Sequence, residues 1–221
     1  MKLSSTLKVI AASAGILFSV SLGSQSSCEE VSRCVALSSQ DTERAVSEDE
    51  TYVLRLMDLV QSPLKKPQRV KVAALAADAG QIMPLSERRS WYVLLAVESK
   101  YVQTAESHAG AVGIGQIVAI DVPYLQRITG VRFSKSDLVK KPSVNLAVSA
   151  GFYWYLVRTM RSKVVALVAY NSGANSSYVR DIRRITAINH ETANYVAKHA
   201  YLSEAAESVH AGLGPTFVMA D

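Results

Sequence analysis

Residues 98–117 read ESKYVQTAESHAGAVGIGQI, a predicted helix end followed at once by a glycine-rich run. Apolar residues precede Glu98 by three, four and seven positions, namely Leu95, Leu94 and Trp91. That spacing predicts a helix whose apolar face ends at the Glu98 carboxyl. Because burial disfavours the charged form, we predict that Glu98 stays protonated near neutral pH, as a general acid must. Spacing alone also allows a glutamate that reaches water at a helix end.

Helical patterns account for most of the remaining sequence. One predicted helix carries an apolar stripe from Tyr52 to Val60 and stops before Pro63, and the next runs from Pro67 to Ala79. Ser86 is the predicted N-cap of the helix that carries Glu98. Further helical patterns cover about residues 143–160, 163–170 and 191–207.

Closely spaced glycines interrupt this helical pattern. Gly110, Gly113 and Gly115 predict a loop or a short β-like excursion after the Glu98 helix. A nucleotide-binding loop is excluded, because no Gly-Lys-Ser/Thr follows and the glycines do not complete a dinucleotide fingerprint after a strand. No stretch shows sustained two-residue alternation, so the predicted fold is mainly α.

The first 23 residues have the pattern of a signal peptide. Lys2 and Lys8 precede an uncharged run from Val9 to Val20, which is short for a membrane span. We predict cleavage after Gly23 and export, with a retained membrane anchor as the alternative. Residues 24–49 are rich in Ser, Glu and Asp and predict a linker or loosely ordered lead-in.

Cys28 and Cys34 are the only cysteines and lie just after the predicted signal peptide. In an oxidising compartment they predict a disulfide across a small loop. The alternative is lipid attachment at Cys28, but Gln25 stands where a lipid-attachment box has an aliphatic residue. The four histidines form no i, i+4 pair, and we predict neither a metal site nor a cofactor.

Four motifs occur in order along the chain: Glu98-Ser99, then Gly110 to Gln116, then Ala169 to Gly173, then Glu191-Thr192 with Tyr195-Val196. Together they resemble the lytic transglycosylases of the soluble type, the SLT domain, in the goose-lysozyme-like superfamily. The resemblance covers roughly residues 80–205. Departures are Ile114-Gly115 for Leu-Met, Ser172 for a second Ala, and Ser149 with Phe152-Tyr153 on the intervening helix.

The resemblance implies a lysozyme-like single catalytic domain over residues 50–210, with its core motifs in 80–205 and a tail at 211–221. It also implies cleavage of the bond between N-acetylmuramic acid and N-acetylglucosamine. Glu98 then acts first as acid and next as base on the muramyl C6 hydroxyl, so that a 1,6-anhydro ring closes without water. Other acids near the motifs do not follow an apolar stripe: Glu106, Asp121 and Glu191.

The resemblance also implies substrate-binding residues around the glycine-rich run. Ser99 is expected beside the carboxyl or the substrate, although a helix-end serine also bonds local backbone. Gly113 and its neighbouring glycines would let a sugar approach the backbone, and Gln116 would present its amide to a hydroxyl or an N-acetyl group.

Three further substrate-binding residues are implied by the later motifs. The Tyr170 hydroxyl is expected near Glu98, and Asn171 near the N-acetyl group. Tyr195 would join the groove wall. From the residues alone, Tyr170 is instead interpreted as a core aromatic with a satisfied hydroxyl.

The charge of the chain suits an anionic partner. Lys and Arg number 24 against 19 Asp and Glu, and removing Lys2 and Lys8 lowers the net charge from +5 to +3. Peptidoglycan, whose peptides carry carboxylates, fits this mild excess, whereas nucleic acid is not predicted as a partner.

Two other functions compete with the transglycosylase. One is a muramidase that hydrolyses the same bond on the same fold. The other is a catalytically weak wall-binding component of a secretion, conjugation or phage machinery, against which Glu98 argues. Each would place the exported protein in the periplasm or cell envelope.

Overall fold

The computed structural model describes residues 46–119, 121–173 and 190–212, except the side chains of His190 and Glu191. All of these residues belong to one compact unit, residues 45–221. The predicted signal peptide, Cys28 and Cys34, nearly all of the lead-in 24–49 and most of the tail 211–221 lie outside the described residues.

Helices make up most of the described chain, which confirms the predicted mainly α fold class. In chain order the elements are α1 Glu48–Leu59, α2 Lys66–Gly80, α3 Leu85–Ser99, β1 Ala111–Val112, β2 Ile117–Val118, α4 Val122–Thr129, α5 Lys135–Lys140, α6 Pro142–Met160, α7 Lys163–Ser172 and α8 His190–His210. Among the described residues, no helix has the length and apolar character needed to cross a membrane.

Helix α3 is enclosed by its neighbours. It contacts α1, α2, α6 and α8. Every residue from Ser90 to Ala96 is buried, so this segment is buried on all sides and not only on the predicted apolar face. A helix surrounded in this way forms the centre of a helical core.

The predicted N-cap of α3 was wrong. The helix begins at Leu85, and Ser86 lies inside its first turn. The backbone N–H groups of Glu87 and Arg88 donate to the Pro84 carbonyl, which closes this turn two residues earlier than Ser86 would allow. A side-chain cap is therefore not what starts this helix.

The glycine-rich run forms a two-stranded antiparallel hairpin, which confirms the predicted short β excursion. It packs against α6 through the fully buried Asn145 side chain. The Asn145 Oδ1 accepts the Gly115 N–H at 2.7 Å, and its Nδ2 donates to the carbonyls of Val112 at 2.9 Å and Leu138 at 3.1 Å. Gly113 has φ +78° and faces this amide, so a Cβ there would overlap Asn145. The hairpin therefore needs glycine where its backbone meets α6.

We expect Asn145→Leu to destabilise the protein by about 2–4 kcal/mol, because it preserves volume but leaves three backbone groups without their partner. Chemical denaturation of the purified protein measures this. The exposed Asn171 provides the control, and Asn171→Ala should change the free energy of unfolding by less than about 0.5 kcal/mol. Equal stability of the two variants would contradict a structural role for the Asn145 amide.

Candidate active site

Glu98 lies in the last turn of α3, at the edge of the buried core. Burial raises the pKa of its carboxyl from 4.5 to about 7, while a hydrogen bond from Tyr195 and the positive charge of Lys198 act in the opposite direction. The partial negative charge of the helix C-terminus also disfavours the carboxylate. Near neutral pH Glu98 therefore populates both of its protonation states, which suits a group that gives and takes a proton.

Tyr195 brings helix α8 into contact with Glu98. Its hydroxyl donates to Glu98 Oε1 at 2.8 Å across 97 residues of sequence. One turn further along α8, the buried His199 places its Nε2 2.9 Å from the Ser90 carbonyl oxygen, near the start of α3. The two contacts hold α8 antiparallel to α3, and His199 thus fixes the helix that carries Tyr195.

Tyr170 joins the hairpin to the core through a chain of hydrogen bonds. Its hydroxyl donates to the Gly115 carbonyl at 2.6 Å and lies 2.8 Å from Ser149 Oγ. The Trp91 indole N–H donates to the same Ser149 oxygen at 2.9 Å. Since Tyr170 has one hydroxyl proton, Ser149 must donate to Tyr170 while it accepts from Trp91. Tyr170 is therefore a buried aromatic with a satisfied hydroxyl.

The charge of Glu98 also acts on the Tyr170 hydroxyl. Burial raises the pKa of the Tyr170 hydroxyl far above its usual value, and the negative charge of Glu98 adds to that effect. The hydroxyl that directly contacts Glu98, however, belongs to Tyr195. The resemblance implied a Tyr170 hydroxyl near Glu98, and it placed Tyr195 only in the groove wall.

Ser99 and Gln116 hold the backbone around the hairpin. The Ser99 hydroxyl donates to the Ile114 carbonyl at 2.7 Å, which ties the end of α3 to the hairpin. The Gln116 amide donates to the carbonyls of Gly113 at 2.9 Å and Ala105 at 3.1 Å. Roles for these residues and for Gly113 in substrate binding stay predictions.

A cleft of about 450 Å³ lies between the hairpin, α4, α6 and α7. It brings together Gln116, Tyr170 and Asn171 from two of the sequence motifs. Its apolar lining includes Phe152, whose ring centroid is 5.2 Å from that of Tyr170. Apolar surface beside a few polar groups is typical of ligand clefts. Tyr170 connects this cleft to Glu98.

The other acids near the motifs occupy different surroundings. Glu106 is exposed, and the exposed Asp121 accepts the Tyr124 N–H at 2.9 Å as the N-cap of α4. The Glu191 side chain lies outside the described residues. In the part of the chain that the structure describes, no three His, Cys, Asp or Glu side chains are arranged to hold a metal ion.

Sequence reasoning missed two residues that shape the site. Ser149 was noted only as a departure from the family pattern, although it lies one helical turn after Asn145 and so faces the same hairpin. Lys198 follows Tyr195 by three positions, a spacing that places both on neighbouring parts of one helix face. Each spacing could have identified its residue as part of the site from the sequence.

The fold is a helical, lysozyme-like domain in which the half-buried Glu98, with a raised pKa, ends a central helix. The family model described as the transglycosylase SLT domain matches residues 78–190, just over half of the chain, and the chain belongs to this family. Membership supports a transglycosylase-type function that acts on peptidoglycan of the cell wall. A search of curated proteins gave no match. The matched range contains Glu98, Tyr170 and Asn171 but ends before Tyr195.

We expect Glu98→Gln to stabilise the protein at high pH. The Glu98 pKa rises from 4.5 to about 7 on folding, so its contribution to stability is fully present below pH 4.5 and is lost as the pH rises through 7. Relative to the wild type, the variant should be equally stable near pH 4 and more stable by about 3 kcal/mol near pH 8. Urea denaturation across this range measures the difference. Glu106→Gln, at an exposed position, should show no such pH dependence.

We expect Tyr195→Phe to raise the Glu98 pKa further, by about one unit, because it removes the hydrogen bond that stabilises the carboxylate. Carbon-detected NMR titration of the Glu98 carboxyl measures this without any substrate. Tyr170→Phe is the matched comparison and should produce the smaller shift, since its hydroxyl donates to Gly115. A larger shift in the Tyr170 variant would mean that Tyr170, and not Tyr195, stabilises the Glu98 carboxylate.

Proposed function

We propose that the protein is a lytic transglycosylase that cleaves the β-1,4 bond between N-acetylmuramic acid and N-acetylglucosamine in peptidoglycan. The observation that carries the proposal is the half-buried Glu98, whose pKa of about 7 allows one group to serve as acid and base. Membership in the transglycosylase SLT domain family supports the same reaction class.

Among the described residues, the carboxyl that lines the cleft belongs to Asp121, which is exposed and caps α4, and this also favours a reaction that needs one carboxyl. The fully buried acids among the described residues are Asp49 and Glu50 on α1. Asp49 lies 3.1 Å from the Arg88 guanidinium, and Glu50 accepts the Ser47 N–H in a capping box. Both therefore have structural partners. Glycosidases ordinarily use two carboxyls, whereas substrate-assisted reactions dispense with one.

In the proposed reaction, protonated Glu98 first donates its proton to the glycosidic oxygen as the bond to the muramyl C1 breaks. The resulting carboxylate then takes the proton of the muramyl C6 hydroxyl, and the C6 oxygen bonds to C1. No water is consumed, and Glu98 returns to its protonated form. The Tyr195 hydroxyl stabilises the carboxylate between the two transfers, because it donates to Oε1.

The cleft beside Tyr170 is the proposed binding site for the sugar strand. Phe152 offers an apolar surface to a sugar ring, and the Asn171 and Gln116 amides offer polar partners to N-acetyl or hydroxyl groups. Asn171 lines the cleft and is exposed to solvent, so a ligand can reach its amide.

We further propose that the protein is exported to the periplasm or cell envelope, with residues 1–23 as signal peptide and residues 50–210 as the catalytic domain. A Cys28–Cys34 disulfide belongs to the same proposal, because those cysteines would meet an oxidising compartment. Any association with a secretion, conjugation or phage machinery stays a prediction.

Purified protein should solubilise peptidoglycan sacculi and release products lighter by one water than hydrolysis products, as mass spectrometry would record. Glu98→Gln should lower this activity by about 10²–10⁴-fold, because it removes the transferable proton. Glu106→Gln is the matched control and should keep wild-type activity. Products of full hydrolytic mass would identify a muramidase. More than about a tenth of the activity in Glu98→Gln would exclude Glu98 as the acid.

A further inference from the structure

A depression of about 680 Å³ opens between the first turns of α3 and α7 and the side of α8. Among the described residues, none lines both this depression and the cleft beside Tyr170. Its lining is apolar at Leu167 and Val196 and polar at Ser90 and His199. Ser90 and His199 are both buried. His199 is thus a buried titratable group without a part in the proposed proton transfers.

The contacts of the His199 ring fix its tautomer. Its Nε2 lies 2.9 Å from the Ser90 carbonyl oxygen, and because a carbonyl only accepts, Nε2 carries the proton. The Nδ1 lone pair faces the Ser203 hydroxyl at 3.5 Å. Burial lowers the pKa of the ring, which favours its neutral form. His199 is therefore a neutral donor from α8 to α3.

Tyr153 adds a third helix to this contact. Tyr153, on α6, is fully buried, and its hydroxyl donates to Ser90 Oγ at 3.0 Å. The same hydroxyl lies 3.4 Å from Glu87 Oε2, and Glu87 pairs with Lys163 at the start of α7. Ser90, Tyr153 and His199 are called the Ser90 cluster below. The Ser90 cluster joins α3, α6 and α8 through hydrogen bonds.

The Ser90 cluster is placed to control the contact between Tyr195 and Glu98. Ser90 lies about two turns before Glu98 on α3, and His199 lies about one turn after Tyr195 on α8. A shift or rotation of α8 at His199 therefore moves the Tyr195 hydroxyl. That hydroxyl lies 2.8 Å from Glu98 Oε1, and a hydrogen bond weakens steeply when its geometry is lost.

We propose that His199 and Tyr153 are positioning residues for the proposed reaction, because they hold the Tyr195 hydroxyl on Glu98 through Ser90. The inference rests on the function proposed above and adds to it residues that lie away from the sugar cleft. Tyr195 stabilises the carboxylate that forms after the first proton transfer. A displaced Tyr195 therefore slows turnover without weakening substrate binding, and the Ser90 cluster acts on kcat rather than on KM.

NMR titration of the Glu98 carboxyl tests the proposal without any substrate. His199→Leu keeps an apolar side chain but removes the donor to Ser90, and it should raise the Glu98 pKa by about half a unit to one unit. Tyr153→Phe should raise it less, because it frees only the Ser90 side chain. His199→Gln presents an amide N–H to the same carbonyl and should keep the wild-type value. His210→Gln, at the far end of α8, is the matched control and should also keep it.

A second substitution shows whether the effect passes through Tyr195. In the Tyr195→Phe background, His199→Leu should add no further rise to the Glu98 pKa, because the hydroxyl that it positions is already gone. A further rise of the same size in that background overturns the proposal, as does an equal rise in His210→Gln. An unchanged pKa in His199→Leu or in Tyr153→Phe overturns the proposal for that residue.

The depression also allows a chemical rescue of turnover. In His199→Ala, kcat for peptidoglycan should fall about tenfold with little change in KM. Added imidazole should enter through the depression, donate to the Ser90 carbonyl and raise kcat by about threefold or more. Tyr195→Phe should gain nothing from imidazole. A loss of kcat in His199→Ala that imidazole does not reverse would indicate a packing role and overturn the proposal. No cleavage by the wild type would overturn the proposed function, whereas the NMR titration would still decide the role of His199.

Discussion

The burial of α3 up to its last turn is the constraint on which the site depends. Its neighbours remove much of the water from the Glu98 carboxyl, and desolvation alone drives the pKa of such a glutamate upward. The Tyr195 hydroxyl and the Lys198 charge oppose that rise, and the balance lies near 7. A site with more burial would hold Glu98 permanently protonated, and a more open site would leave it permanently charged. The proposed two-step proton transfer requires both protonation states of Glu98, so neither of these sites would support it.

Polar contacts inside the core fix the parts of the site relative to one another. The Trp91–Ser149–Tyr170 chain ends on the Gly115 carbonyl, so the hairpin is tied to α3, α6 and α7 at once. Asn145 secures the same hairpin from another side of α6. Buried networks of this kind are costly when one member is lost, because each partner then remains unsatisfied in a low-dielectric interior. The same feature makes them rigid supports for a reacting group.

The proposed sugar-binding cleft is lined by Tyr170, on which the charge of Glu98 acts. The cleft beside Tyr170 combines apolar lining with the amides of Gln116 and Asn171, as a neutral sugar requires.

Local features of the sequence determined the mainly α fold, the apolar surroundings of Glu98 and the glycine hairpin, because helical spacing and glycine content act over a few residues. The start of α3 escaped this reasoning, since a Pro84 carbonyl rather than a Ser86 side chain closes its first turn. Only the tertiary structure decided that Tyr195 contacts Glu98, and that His199 contacts Ser90. Those contacts join residues far apart in the chain, and their geometry follows from how α8 packs on α3, which no local pattern encodes.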